Sequence, residues 1–527
     1  RWPVRSRRAW LAGAALAATV LAGWNLAVPG LYYDEALFCN AALGAPSDTF
    51  VALRWRGIPV LLMDYIGALK AWLYFPIFCV TPVNPWTVRI PAILAGVAGG
   101  VLLVAACRRL CGRAAAAFAT PLVLLDPGLL MHSRLDWGPT ALMFLCRGMC
   151  VYGIAIWWRR GTPGGLWLTV GAGALGLFDK LNFLWIFAAA AIALIVAARD
   201  KCRAYAQRHP VAAGGQAVAV VILLVAGLWR ARGIVNAGLG PSGQSWSDRS
   251  HVAWFLLWHA VVGDGPLQFV GTNGVEPARW MVPAYWLLVA VSLACLIAGR
   301  RRFAVRPWLF VLLFTLLVAG AFAATKSATG PHHSAVIAGL PGLVLAPLLA
   351  AGAARGAGVR MVEKPLAIIA LAVTAVMAGC MVATSVTSIR TFARPGNRAW
   401  DPAHNRLAEF AEAHSAAVFR TADWGIGTQI IGLTEGRVQV DDNWPQFATA
   451  ASAVQALQAR PRDRDLYVVV HAAGGEVFPA ARRGLDQALG ELGLVPTEVA
   501  RLTGIDGRPL ILILQIPRPA ADQSGLR

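Results

Sequence analysis

The chain has 527 residues, 57% of them hydrophobic and 14% charged, with a mean hydropathy of +0.58. A soluble domain has about a quarter of its residues charged, so this composition excludes a soluble globular protein and points to repeated membrane crossings. A net charge of +20 would suggest nucleic acid in a soluble chain. Here the basic residues fall in short clusters between apolar runs, as cytoplasmic loops do, which argues against a nucleic-acid partner.

Residues 1–8 include four arginines and lead into an apolar run over 9–30. No small-residue cleavage site follows, so the run is expected to be an uncleaved helix with its N-terminus in the cytoplasm. Tyr32-Tyr33-Asp34-Glu35 comes next. Two adjacent carboxylates at the mouth of a membrane helix are costly unless wet or partnered, so Asp34 and Glu35 are functional candidates. The run Ile58–Val80 is apolar but broken by Pro59, Asp64, Lys70 and Pro76. If it does not cross, the basic clusters at 108–113, 159–160, 199–208, 300–306 and 355–364 all fall inside, as the positive-inside bias demands. It is therefore expected to lie along the interface as amphipathic helices at 57–80. There Tyr65, Trp72 and Tyr74 would line a groove for a lipid or form a plain aromatic belt.

Spans are expected at 9–30, 87–107, 114–131, 139–158, 164–178, 181–198, 210–229, 281–299, 307–324, 335–353 and 365–385, about eleven in all. The short run 164–178 meets the next at Asp179-Lys180, the sign of a broken helix pair. Odd parity puts the C-terminal part outside. Gly99-Gly100 and Gly171–Gly176 sit in apolar runs, where they allow close helix packing. Cys39 and Cys79 both face the oxidising side, where a disulfide is open to them.

From Ser388 the apolar runs shorten and charges become regular. Helical periodicity fits 405–414, 448–459 and 477–492; strand-like runs are 417–421, 437–440, 466–471, 497–502 and 510–516. The expected architecture is a polytopic α-helical membrane part over 1–387 and a small C-terminal α/β soluble domain over 388–527.

On this topology the outer helix ends gather both signs of charge: Asp34 and Glu35; His132, Arg134 and Asp136; Asp179 and Lys180; Arg230 and Arg232; Lys326, His332 and His333. Sugar transfer from a polyprenyl phosphate needs a base for the acceptor hydroxyl and cations for the departing phosphate. The Asp34-Glu35 pair, the Val88-Arg89-Ile90-Pro91 segment, the Arg134-Leu135-Asp136-Trp137-Gly138-Pro139-Thr140 loop, Asp179-Lys180 and Gly330-Pro331-His332-His333 together resemble a GT-C-fold glycosyltransferase. The resemblance is to the bacterial protein O-mannosyltransferase-like and lipid A aminoarabinose transferase-like enzymes.

The resemblance implies a polyprenyl-phosphate sugar donor, inversion at the anomeric carbon, a bacterial inner-membrane location and a periplasmic acceptor: a glycan, lipid or protein. It implies that Asp34 or Glu35 deprotonates or orients the acceptor and that Asp136 assists. It makes Lys180, Arg230 and Lys326 candidates for the donor phosphate, with His332 and His333 as donor or metal contacts. Relatives differ in their need for a divalent metal near the acidic loop, so metal dependence stays open. Two other classes compete: a flippase for lipid-linked sugars, favoured by Asp126-Pro127 inside a span, and a non-catalytic envelope-assembly subunit. Asp423-Trp424-Gly425 repeats the chemistry of Asp136-Trp137-Gly138 and reads as a turn.

Overall fold

The computed structural model describes residues 4–44, 51–234, 246–270, 278–324, 331–353, 363–394 and 400–518. Two compact units are assembled from separate stretches of chain. The first comprises Arg1–Leu26, Asp64–Leu69 and Arg89–Thr391; the second comprises Ala27–Met63, Lys70–Val88 and Phe392–Arg527. The strands among the described residues are β1 (Leu53–Trp55), β2 (Ile58–Met63), β3 (Ile66–Gly67), β4 (Val418–Thr421), β5 (Gln439–Asp441), β6 (Leu466–His471), β7 (Thr497–Thr503) and β8 (Pro509–Ile516).

The first unit is helical. Among the described residues, seven helices are long and apolar enough to cross a membrane, and the bent pair Arg113–Leu124 and Pro127–Arg134, at 47°, counts as an eighth. Ala9–Gly23 and Val305–Ala321 are shorter apolar helices. Pro163–Asp179 has 17 residues, about 25 Å of helix against a hydrocarbon core of about 30 Å. Each of these helices falls where the sequence places a span. The last runs on to Phe392, beyond the 387 boundary expected from composition. Glycine permits the tightest helix contacts: a Cβ on Gly148 would lie 2.5 Å from the Gly99 carbonyl, and one on Gly173 would lie 2.3 Å from the Phe187 ring.

Charge counting put Arg134 in an outer loop, yet it is fully buried, as are Arg89 and Arg147. The last carbonyls of a helix lack intrahelical donors and carry the negative end of its dipole. Arg134 donates to the carbonyls of Ala22, Trp24 and Asn25 where the first helix ends, at 2.7, 2.6 and 2.5 Å. Arg89 donates to Leu26 O at 2.8 Å. Arg147 holds the carbonyls of Val336 and Ala338 at 2.7 and 2.6 Å. Sequence reasoning also missed two helices after residue 234, Trp246–Val262 and Gly265–Val270. The apolar run there is too short to span, so it left no membrane signal. Between them His259 and Asp264 form a buried pair at 2.6 Å.

In the second unit the expected helices over 57–80 are half corrected. Ile58–Met63 is strand β2, antiparallel to β1, and only Leu69–Phe78 is helical. Gly57 turns the hairpin at φ +83°, where an L side chain would be strained. The indole N–H of Trp72 donates to Pro59 O at 2.8 Å, tying helix to hairpin. Cys39 and Cys79 are separate thiols, one buried and one exposed, so the open disulfide is not formed.

The C-terminal sheet has the order β5-β4-β6-β8-β7. β4 pairs in parallel with β5 and with β6; β8 pairs antiparallel with β6 and β7. Alternation along the strands builds two cores. Phe419, Tyr467, Val469 and Ile511 face one side with Leu407 and Ile430. Val418, Val468, Val470 and Leu514 face the other with Leu457 and Leu485. β6 is therefore buried on both faces, as its unbroken apolar run suggests.

Candidate active site

The acidic pair opens the helix Tyr33–Leu43, with Tyr32 as its N-cap. Glu35 is fully buried, and its Oε2 accepts the Tyr32 backbone N–H at 3.0 Å. A carboxylate three residues into a helix satisfies an orphan donor and meets the positive end of the dipole. Asp34, one residue earlier, is only half-buried. The two acids are thus unequal: Glu35 is sealed and holds the turn, while Asp34 keeps part of its surface exposed.

The turn is set within the C-terminal part of the same unit. Gly30 N–H donates to Trp400 O at 2.5 Å, and a Cβ on Gly30 would lie 2.8 Å from Asp401 O. The Tyr32 ring stacks on Trp400 with centroids 3.8 Å apart, and Tyr33 packs on Trp424 at 4.5 Å. Asn40 Nδ2 donates to Thr428 O at 3.1 Å. Burial, followed by the charges of Asp442 and Asp34, pushes the Tyr33 phenol well above its ordinary range, so Tyr33 stays a neutral wall.

Asp442 accepts from the hydroxyls of Thr421 and Thr428, both at 2.7 Å. A Cβ on Gly427 would lie 2.3 Å from its Oδ1. Burial raises the Asp442 carboxyl above the usual range, against the pull of those hydroxyls. Sequence reasoning missed Lys70 as a site candidate. It is buried, with its ammonium 4.5 Å from the Phe38 ring centre and 5.5 Å from that of Tyr74. Burial pushes the Cys39 thiol up, while Lys70 pulls it down and Glu35 pushes it up. A lysine inside the apolar run 58–80 was the available signal.

The other candidates lie in the first unit. Asp136 is buried, and its Oδ1 accepts the Ala141 N–H at 2.8 Å at the start of the Thr140–Arg160 helix. Gly138 has φ +64°, and a Cβ there would stand 3.4 Å from Lys180 Nζ, so the lysine reaches across this loop. Lys180 itself follows the Pro163–Asp179 helix and bridges to Ile66, while Leu181 N–H donates to Tyr65 O at 3.0 Å. Arg230 Nε donates to Asp64 O at 2.6 Å and Nη1 to Leu177 O at 3.2 Å. Much of its fork thus already serves the backbone around Lys180.

Asp126, the feature that most favoured a transporter, has a local role. It caps the helix Pro127–Arg134, accepting the Leu129 N–H at 2.8 Å at the bend. His333 is half-buried in the 3₁₀ turn Pro331–Ile337. Lys326 and the His332 side chain lie outside the described residues. Among the described residues no three His, Cys, Asp or Glu side chains gather as metal ligands.

Residues 68–229 match the family described as dolichyl-phosphate-mannose-protein mannosyltransferase. Comparison with curated proteins finds no match. Among solved structures, the chain is similar to ArnT from Cupriavidus metallidurans bound to undecaprenyl phosphate. The identity is 14% and the TM-score 0.55, over 97% of this chain and 98% of that one. The Archaeoglobus fulgidus oligosaccharyltransferase, in complex with zinc and sulfate, matches at 13% identity and TM-score 0.49, over 88% of this chain and 67% of that one. The arabinofuranosyltransferase AftD from Mycobacteria matches at 16% identity and TM-score 0.45, over 98% and 42%.

Proposed function

We propose a donor, an acceptor side and a base for this chain, which is a membrane glycosyltransferase of the GT-C fold. It moves a sugar from a polyprenyl-phosphate-linked donor to an acceptor at the periplasmic face of the bacterial inner membrane, with inversion. The similar ArnT structure is bound to undecaprenyl phosphate, which supports a lipid-phosphate donor. The observation that carries the reading is the inequality of the two acids, with Asp34 half-buried and Glu35 sealed under the Tyr32 N–H.

Asp34 takes the proton from the acceptor hydroxyl as its oxygen attacks the anomeric carbon. The glycosidic C–O bond to phosphate breaks on the opposite face, and the polyprenyl phosphate leaves with the electron pair. A single displacement of this kind inverts the anomeric centre. A positioned base contributes about 10²–10⁴-fold. Lys180 neutralises charge on the leaving phosphate; Arg230 holds the backbone beside it, and Asp136 fixes the loop that Lys180 reaches across.

The test is sugar transfer in proteoliposomes supplied with polyprenyl-phosphate sugars and a host envelope extract. Asp34→Asn should lower the rate by about 10²–10⁴-fold. Glu35→Gln keeps an acceptor oxygen for the Tyr32 N–H and should lose much less. Wild-type transfer by Asp34→Asn would remove the base from the proposal. Donor building up on the cytoplasmic leaflet in its place would support a flippase.

A further inference from the structure

The loops leaving the carboxyl ends of β4, β5 and β6 carry groups that the chemistry above does not use. Open α/β sheets bind ligands in the crevice outside the carboxyl ends of their parallel strands, where the strand order reverses. Here β4 has β5 on one side and β6 on the other, so the reversal is at β4. From the β5 end comes Trp444, stacked on Phe478 from the β6 end with centroids 4.2 Å apart and planes at 10°. Trp444 is half-buried against the sheet's core, whereas Phe478 is 41% exposed and its neighbour Val477 is 45% exposed.

From the β4 end comes Trp424, which packs on Tyr33 of the acidic turn. Asp423 links the two groups of rings. Its Oδ1 accepts the backbone N–H of Trp424 at 2.8 Å and that of Phe478 at 3.0 Å. Its Oδ2 accepts the Val477 N–H and the His471 ring N–H, at 2.8 and 2.7 Å. Asp423-Trp424-Gly425 is therefore more than a turn: its carboxylate ties the backbone of Trp424 to that of Phe478, so two aromatic pairs, Tyr33 with Trp424 and Trp444 with Phe478, hang from one anchor as a discontinuous strip. Polar groups fringe the far end: Asp441 pairs with Arg420 at 3.2 Å and accepts from Gln446 Nε2 and the Asn443 N–H, both at 3.3 Å, while Asn443 is exposed and Asp441 and Gln446 are half-buried.

We propose that this strip is a saccharide-binding site that holds a glycan acceptor. A sugar ring offers an apolar face of C–H groups that covers an aromatic ring, and a rim of hydroxyls that both donate and accept. Flat rings bordered by a carboxylate and two amides match both features. An acyl chain would need a continuous aliphatic surface, and nothing in the polar fringe would serve it. The inference rests on the proposed reaction only in taking the bound chain as its acceptor; binding itself is measured separately.

The experiment uses the full chain in lipid nanodiscs and isothermal calorimetry with pooled water-soluble envelope oligosaccharides of the host cell. Wild type should bind the pool. Trp444→Ala and Phe478→Ala should bind about five- to tenfold more weakly, while Trp444→Phe and Phe478→Tyr keep a ring and bind as wild type. Asp34→Asn should bind normally. Absence of binding by wild type, or alanine variants that bind as wild type does, would overturn the site. Binding of host envelope peptides in place of the oligosaccharides would do the same. Loss of transfer in Asp34→Asn without any saccharide binding would overturn the strip alone. Intact transfer in that variant would overturn the base and leave the strip standing.

Discussion

Asp423→Asn is the substitution whose cost follows most directly from the geometry. The carboxylate is buried and receives four donors: the His471 ring and the backbone N–H groups of Trp424, Val477 and Phe478. Burial alone would raise its pKa; the His471 hydrogen bond and charge, with the backbone N–H groups, outweigh this and hold it below the usual carboxylate range. The asparagine amide fills the same volume but replaces one acceptor oxygen with an NH₂ group. One oxygen's donors are then orphaned, and the partner of His471 loses its charge. Leaving buried donors unsatisfied costs about 1–3 kcal/mol, at the upper end where a charged acceptor is lost. Taking about 3 kcal/mol for the local opening, amide exchange should accelerate by about 10²-fold.

Hydrogen exchange read by mass spectrometry on peptides covering 418–426 and 472–478 measures this in the intact chain. Exchange at wild-type rates in both peptides would refute the account of Asp423 as the anchor of these loops. The pH sign is also fixed. A depressed carboxyl stabilises fully above its unfolded pKa of about 3.9 and loses that contribution as pH falls through the folded value. Wild-type loops should therefore loosen only in strong acid.

His404 gives an acid limb at milder pH. Burial pushes its imidazole down to about 4, so the unfolded chain takes up the proton first. Stability should be complete above about 6.5 and fall until about 4. A thermal melt of the C-terminal part between pH 7 and 4 measures this, and His404→Asn should flatten the slope. Gly67→Ala places a Cβ 2.2 Å from the Phe178 carbonyl, beside the bridge between Ile66 and Lys180. Steady-state kinetics with varied donor should then show a raised KM for the polyprenyl-phosphate sugar, and an unchanged KM would separate Lys180 from the donor.

The C-terminal strands and three of the helices were legible because an α/β layer alternates its burial with the period of each element, whereas the seven-residue helix Gly427–Leu433 is too short to show one. The strand at 466–471 and the helix near 479–491 lie within two residues of the periodicity. The hairpin at 53–63 was not legible: Ile-Pro-Val-Leu-Leu-Met is a short apolar run that fits strand and interfacial helix equally. Asp34 and Glu35 stood out as charges next to a membrane span. Their different roles did not, because Tyr32 is a poor signal for an N-cap. The contact of Asn40 with Thr428 joins residues 388 apart in sequence, and no local pattern records such a pairing. Arg134 looked like loop charge because a sequence lists a side chain's charge and omits the carbonyls that receive it.

The acidic turn owes its aromatic walls to segments that the ribosome delivers far apart. At about 5–20 residues per second, the 388 residues between Asn40 and Thr428 correspond to about 20–80 s of synthesis. Throughout that interval Tyr32 and Tyr33 await Trp400 and Trp424. A chain still short of those residues thus holds its acidic turn without walls, and the turn is complete only once Trp424 has been made.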